Sequence, residues 1–246
     1  MLRYTILFIC NILSFVLIAQ PDNNNFKSGE KLRFIIYYGI LDAGIVEAEL
    51  KSVVFEGKPA YHSKMVASSI GLADKLYKVR DEYQSFFNPL TILPYKSIRD
   101  ISEGKYKRYH TDTFFHDRGK VITHKGVEYD IPSEARDMVS VFFHIRNINY
   151  SKMKDGDLIK IVTFFDDEVF PFDMRFKGRE QIKTRMGTFN CIKLMPYVEP
   201  GRIFNKEDDM VIWISDDLNR VPIRVKFNLK VGSIKCDLVE FSGLKY

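Results

Sequence analysis

Three histidines, His110, His116 and His124, fall on adjacent predicted strands, and imidazole is the side chain from which many metal centres are built. His110 and His116 share parity, so both project from one face of their strand. Six residues of extended chain nevertheless separate them by about 20 Å. One ion does not bridge that span, and no metal is assigned. The acidic groups Asp166-Asp167-Glu168, Glu207-Asp208-Asp209 and Asp216-Asp217 lie in turns. Calcium needs more converging oxygen ligands than any one of these loops supplies, so they read as solvated turns.

Nucleophilic chemistry finds no support. The chain has no Gly-x-Ser-x-Gly, no His-Glu-x-x-His, no glycine-rich phosphate loop and no Cys-x-x-Cys. Cys191 stands between Asn190 and Ile192 inside an apolar strand with no histidine nearby, as a buried structural thiol would. No catalytic residue and no cofactor are assigned, and the expectation is a protein that is not an enzyme. Two polar residues stand out, Asp137 and Arg146, because they flank an apolar helix face that must be buried. They read as anchors of that helix to the sheet, with a polar contact at a cavity mouth as the functional alternative. Arg99, Lys105, Lys107 and Arg108, interleaved with Tyr106 and Tyr109, have the charge pattern of an edge strand. The same cluster would also suit anionic head groups or polysaccharide.

The elements that must position these residues are mostly strands. Leu32, Phe34, Ile36 and Tyr38 alternate, and Ile45 to Phe55 and Ala60 to Ser68 form a long hairpin about Glu56-Gly57-Lys58-Pro59. Ile70 to Tyr77 suits about two turns of helix. Further strands are expected at Asp81 to Phe87, Tyr95 to Ser102, Tyr106 to Phe115, Lys120 to His124 and Val127 to Ile131. The periodicity predicts a longer helix over about residues 134–147, with Ser133 as its cap and Met138, Val139, Phe142, Phe143 and Ile145 on its apolar face. Then come Leu158 to Phe165, Glu168 to Phe176, a short piece near Gln181 to Thr184, and Thr188 to Tyr197. A closing meander carries Asp209 to Ser215, Val221 to Phe227 and Ile234 to Phe241. Trp213 is expected at an inward position with Val211 and Ser215. Met138, Phe142, Ile145 and Trp213 are the candidate ligand-binding residues.

At the amino terminus, Arg3 precedes a nearly unbroken apolar run, Tyr4 to Ala19, which ends abruptly at Gln20-Pro21-Asp22. A single basic residue, a short apolar stretch and a polar exit read as a signal peptide over residues 1–19, and the run is short for a spanning helix. Leu7-Phe8-Ile9-Cys10 ends in Cys without the small residues of a lipidation site. Residues 20–28 read as a disordered leader and residues 29–246 as a single β-rich domain. The net charge of +5, with both signs interspersed, is a soluble surface and excludes a nucleic-acid footprint. Cys191 and Cys236 invite a disulfide in an exported protein, and the sequence leaves their pairing open.

The fold class is mainly β: a large curved antiparallel sheet, a half-barrel or barrel-like, of about a dozen strands with one or two helices against its concave face. The 20 Phe and 13 Tyr against one Trp include doublets such as Phe114-Phe115 and Phe164-Phe165, which are apolar on both sides of an element. A sheet apolar on both faces is covered twice or lines an apolar cavity.

The opening Gly29-Glu30-Lys31-Leu32 with Tyr37-Tyr38-Gly39-Ile40-Leu41-Asp42-Ala43-Gly44, the stretch Arg136 to Arg146, and Val211-Ile212-Trp213-Ile214-Ser215-Asp216-Asp217 with Arg220-Val221-Pro222 and Gly232-Ser233 carry a resemblance. Over about residues 29 to 243 the chain resembles the bacterial exported family called domain of unknown function 3108. The resemblance implies a β-rich envelope protein, periplasmic or envelope-associated, with no settled activity and no catalytic residues to carry over. The Trp strand, Asp/Asn turn and Pro strand also look distantly like the terminal hairpin of Lol-type periplasmic lipoprotein carriers, whose half-barrel closes over an acyl-chain cavity. The expected function is thus a binding or carrier module for an apolar ligand, a lipid acyl chain or a hydrophobic segment, with peripheral membrane contact. The alternative is a structural or interaction protein of the envelope that works through a protein partner.

Overall fold

In a computed structural model, residues 24–197, 209–229 and 232–246 are described. The signal-peptide segment 1–19 lies outside the described residues. The opening strands are β1 (Lys31–Tyr38), β2 (Leu41–Phe55) and β3 (Lys58–Ser69), followed by α1 (Gly71–Leu76) and β4 (Arg80–Phe87). Next come β5 (Pro94–Glu103), β6 (Tyr106–Phe115), β7 (Lys120–Thr123), β8 (Glu128–Asp130) and α2 (Met138–Arg146). The second half holds β9 (Leu158–Ile159), β10 (Val162–Phe165), β11 (Glu168–Pro171), β12 (Asp173–Thr184) and β13 (Gly187–Tyr197). The meander closes it with β14 (Met210–Ser215), β15 (Pro222–Asn228) and β16 (Ser233–Ser242).

Fourteen of these strands form one open antiparallel sheet in the order β8-β7-β6-β5-β4-β3-β2-β1-β16-β15-β14-β13-β12-β9. Successive hairpins lay each strand beside its predecessor, as short connections dictate. The first and last strands meet in the middle, where Phe34 faces Leu238 and Ile36 faces Cys236. The remaining pair, β10 and β11, is a separate hairpin joined to the chain before α2 by a parallel bridge between Arg136 and Thr163. Its Phe164 packs with Phe114 and Val121 of β6 and β7, so it covers that arm of the sheet.

Three expectations are corrected. The expected strand Leu158 to Phe165 is two elements, because β9 pairs with β12 in the large sheet while β10 turns away to pair with β11. The Asp173 carboxylate accepts from the Ile161 N–H at 2.9 Å where the two part. The long helix begins at Met138, and Asp137 rather than Ser133 is its cap. Asp137 wins because its carboxylate takes the Ser140 N–H at 2.7 Å while the Ser140 hydroxyl returns to the Asp137 N–H, a reciprocal box. Of the expected disordered leader, Asn24 to Phe26 are packed. Phe26 is wholly buried against Tyr61, Phe87 and Phe143, and Asn25 donates to the Arg146 carbonyl at 2.6 Å. Just beyond this segment, Gly29 lies so close to the chain's carboxyl end that a Cβ on Gly243, at φ 67°, would collide with the Gly29 carbonyl.

Candidate functional site

Helix α2 carries apolar side chains around most of its circumference, so it must be covered on several sides. Val141 and Ile145 join a core with Ile212 and Ile214 of β14 and Leu194 of β13. Val139 and Phe143 join another with Leu50, Tyr61 and Phe87 on the opposite arm of the sheet. The helix therefore bridges the two arms.

Buried polar groups fix both of its ends. At the amino end Asp137 accepts from the Ser85 hydroxyl of β4 as well as from Ser140. At the carboxyl end Arg146 holds Glu30 through two parallel hydrogen bonds of 2.6 and 2.7 Å and donates from Nε to the Asn219 carbonyl at 3.1 Å. Arg146 and Glu30 are both about as buried as the core, with side-chain exposures of 2% and 3%. The planar guanidinium matches the carboxylate in two places, the geometry that best offsets desolvation of an ion pair.

Between this clamped helix and the central strands lies a cavity of about 270 Å³. Its floor is Leu32, Phe34 and Ile36 of β1 with Val46, Ala48 and Met65 of β2 and β3. Its far wall is Met210, Val225, Phe227, Ile234 and Cys236 of the meander, and its roof is Phe142, Phe143 and Arg146. Ser63 is the polar exception in the floor: it is buried, and its hydroxyl finds no partner among the described residues. The charge of Arg146 is matched by Glu30, so the space carries no uncompensated charge. Burial pushes the Cys236 thiol up to about 12, which keeps it protonated and unreactive. A second, more open apolar groove shares Ile36 and runs past Ala43 and Ala67 to Ala73 and Leu76 of α1.

The four candidate residues are not brought together. Phe142 lines the cavity. Met138 and Ile145 turn toward the β13–β14 core instead. Strand alternation sends Trp213 to the face opposite Met210 and Ile212, where it packs with Val211, Cys191 and Ile182 and donates from Nε1 to Glu180 at 2.7 Å. Ser63 and Arg146 complete the lining, and only Arg146 had a sequence signal, as a charge at the end of an apolar helix. Cys191 and Cys236 are both free. His116 accepts no part in a histidine group, since its Nε2 pairs with the Pro94 carbonyl. Arg99 is drawn out of the expected surface cluster by Asp166 at 2.7 Å.

The family described as "Protein of unknown function (DUF3108)" matches residues 33–239. The chain belongs to that family. DUF3108 assigns no activity to the cavity. No curated protein matches the chain. Among solved structures, a β-barrel-like protein of domain of unknown function DUF1849 from Brucella abortus has a TM-score of 0.59 at 8% identity, covering 88% of this chain and 98% of that one. It shares the fold with this DUF3108 chain. A protein of Bacteroides fragilis described provisionally as exported, with a YmcC-like fold, gives 0.36 at 10% identity over 89% and 99% of the two chains. A provisionally assigned lipoprotein of Parabacteroides distasonis gives 0.37 at 11% identity over 89% and 98%. Scores that low add nothing to the fold assignment.

Proposed function

We propose that this DUF3108 protein is a non-catalytic binding or carrier module of the bacterial cell envelope, and that the cavity beneath α2 holds an apolar ligand, a lipid acyl chain or a hydrophobic segment. The observation that carries this reading is the apolar lining of the 270 Å³ space, which lies close to the lower end of the roughly 300–1,000 Å³ of small-molecule sites. A filled structural sheet would close such a space with side chains, since interiors pack to crystal-like density. The groove that shares Ile36 lengthens the apolar path toward α1, where Leu41, Leu72 and Leu76 are exposed. An apolar rim of this kind suits peripheral contact with a membrane from which a ligand is taken.

The test is saturable uptake of a fluorescent fatty acid, paired with native mass spectrometry of protein purified from a bacterial envelope. A co-purifying lipid displaced by the probe is expected. No uptake together with no co-purifying lipid would leave the alternative, an envelope protein working through a protein partner.

A further inference from the structure

Far from the cavity, β6 and the β10–β11 turn bring together nitrogen and oxygen atoms that have no task in the reading above. Alternation along β6 places His110 and Asp112 on one face. The turn Asp166-Asp167 has two left-handed residues, φ 54° and 66°, as a tight two-residue hairpin requires. Those dihedrals aim the two carboxylates differently. Asp166 Oδ1 takes both Arg99 at 2.7 Å and Arg108 at 3.0 Å, one carboxylate shared by two guanidinium groups, and the buried Arg99 Nη2 is left without a hydrogen-bond partner among the described residues. Asp167 is directed instead at His110, whose Nε2 lies 2.7 Å from Asp112 Oδ1 and 3.6 Å from Asp167 Oδ1.

We propose that His110, Asp112 and Asp167 bind one divalent transition-metal ion of the zinc class, which fastens the β10–β11 turn to β6. Their ligand atoms all lie within 4.8 Å of one another. Two carboxylates converge on a single imidazole nitrogen, and that nitrogen carries at most one proton. One carboxylate oxygen is therefore left unmatched: Asp167 Oδ1 is buried without a hydrogen-bond partner among the described residues. An independent sign is Thr123, the cross-strand neighbour of Asp112 on the same face, 4% exposed and with its hydroxyl unpartnered. Buried polar groups are rarely left so, and a cation with its bound water would satisfy both oxygens.

Ser97 already donates to the outer oxygen of Asp112 at 3.2 Å, the support that orients a ligating carboxylate. The ion takes the Nε2 lone pair of the neutral imidazole, whose single proton then sits on Nδ1, a buried atom without a hydrogen-bond partner among the described residues. One imidazole with two carboxylates suits zinc, whereas calcium asks for six to eight oxygens and magnesium for a largely hydrated octahedron. The other charged or titratable neighbours are Arg99, whose positive charge acts on His110, Asp166, which holds Arg99 and Arg108, Lys125, 3.9 Å from the outer oxygen of Asp167, and the His124 ring, edge-on to His110 at 4.5 Å.

The experiment is calorimetric titration of untagged, chelator-stripped protein with Zn²⁺, and with Ca²⁺ and Mg²⁺ in parallel. One equivalent of Zn²⁺ and no comparable binding of the other two are expected. Asp167→Asn is the discriminating variant, because Asn tolerates the left-handed turn and the fold should survive, as a melt in chelator will verify. It should weaken Zn²⁺ binding at least about tenfold. No saturable Zn²⁺ binding, Ca²⁺ or Mg²⁺ binding as tightly as Zn²⁺, or undiminished Zn²⁺ affinity in Asp167→Asn would each overturn the proposal.

Discussion

Burial and hydrogen bonding oppose each other at Asp137. Its carboxylate accepts from Ser140, Ser85 and the Val139 amide, all of which favour the charge, yet full burial outweighs them and pushes its pKa up to about 6. The unfolded chain releases this proton near pH 4. Between those values the native state binds the extra proton, so this residue's contribution to stability falls as pH rises through the window. A shift of that size corresponds to about 3 kcal/mol in total. Asn caps a helix nearly as well as Asp and does not titrate. Urea melts of wild type and Asp137→Asn from pH 4 to pH 7 should therefore diverge, the wild type losing stability relative to the variant as pH rises. Parallel curves would remove the assignment. Asp137 was legible in the sequence as an anchor, but its role as the cap was not, because Ser133 after Pro132 offers the same local signal, and the box with Ser140, reinforced by the Ser85 contact from β4, decides between them.

At the scale of elements, α2 is held by what lies at its two ends more than by its helix propensity, since its nine residues are too few to be stable alone. Replacing Arg146 with Met strands the Glu30 carboxylate in the core, and a loss of about 3–5 kcal/mol in a denaturant melt is expected. The paired change Arg146→Met with Glu30→Leu should recover much of it, because an apolar pair of similar volume often matches a buried ion pair. A single variant within 1 kcal/mol of wild type would show that the pair is not what fixes the helix. The strands themselves were readable, because alternation of apolar and polar residues bounded by Gly, Asp and Lys turns marks each hairpin on the chain. What escaped was set by distant partners. The division at Lys160-Ile161 depends on which neighbour each half pairs with, and β12 runs unbroken through Lys177-Gly178 because β13 accommodates an irregularity in register there. Phe26 looked like part of a polar leader, and its burial depends on Phe143, far along the sequence.

The large sheet has two unlike faces, and among the described residues its terminal strands are short, three residues in β8 and two in β9, with β9 covering only Met174 and Arg175 of β12. Along β14 the faces separate residue by residue: Met210 looks into the cavity while Trp213 is buried on the other side. Both sides of the sheet contain buried aromatic side chains, so truncation on either face should cost stability. Trp213→Ala should lose about 3–5 kcal/mol, and the half-buried Phe142→Ala less. Their effects on ligand should differ. Phe142→Ala enlarges the cavity and should change the affinity for a fluorescent fatty acid, while Trp213→Ala, measured well below its melting temperature, should bind as wild type does. Thermal unfolding and probe titration on the same two samples separate the cases. If Phe142→Ala unfolds earlier but binds the probe as wild type does, the cavity beneath α2 is not where the probe goes, and the carrier reading fails.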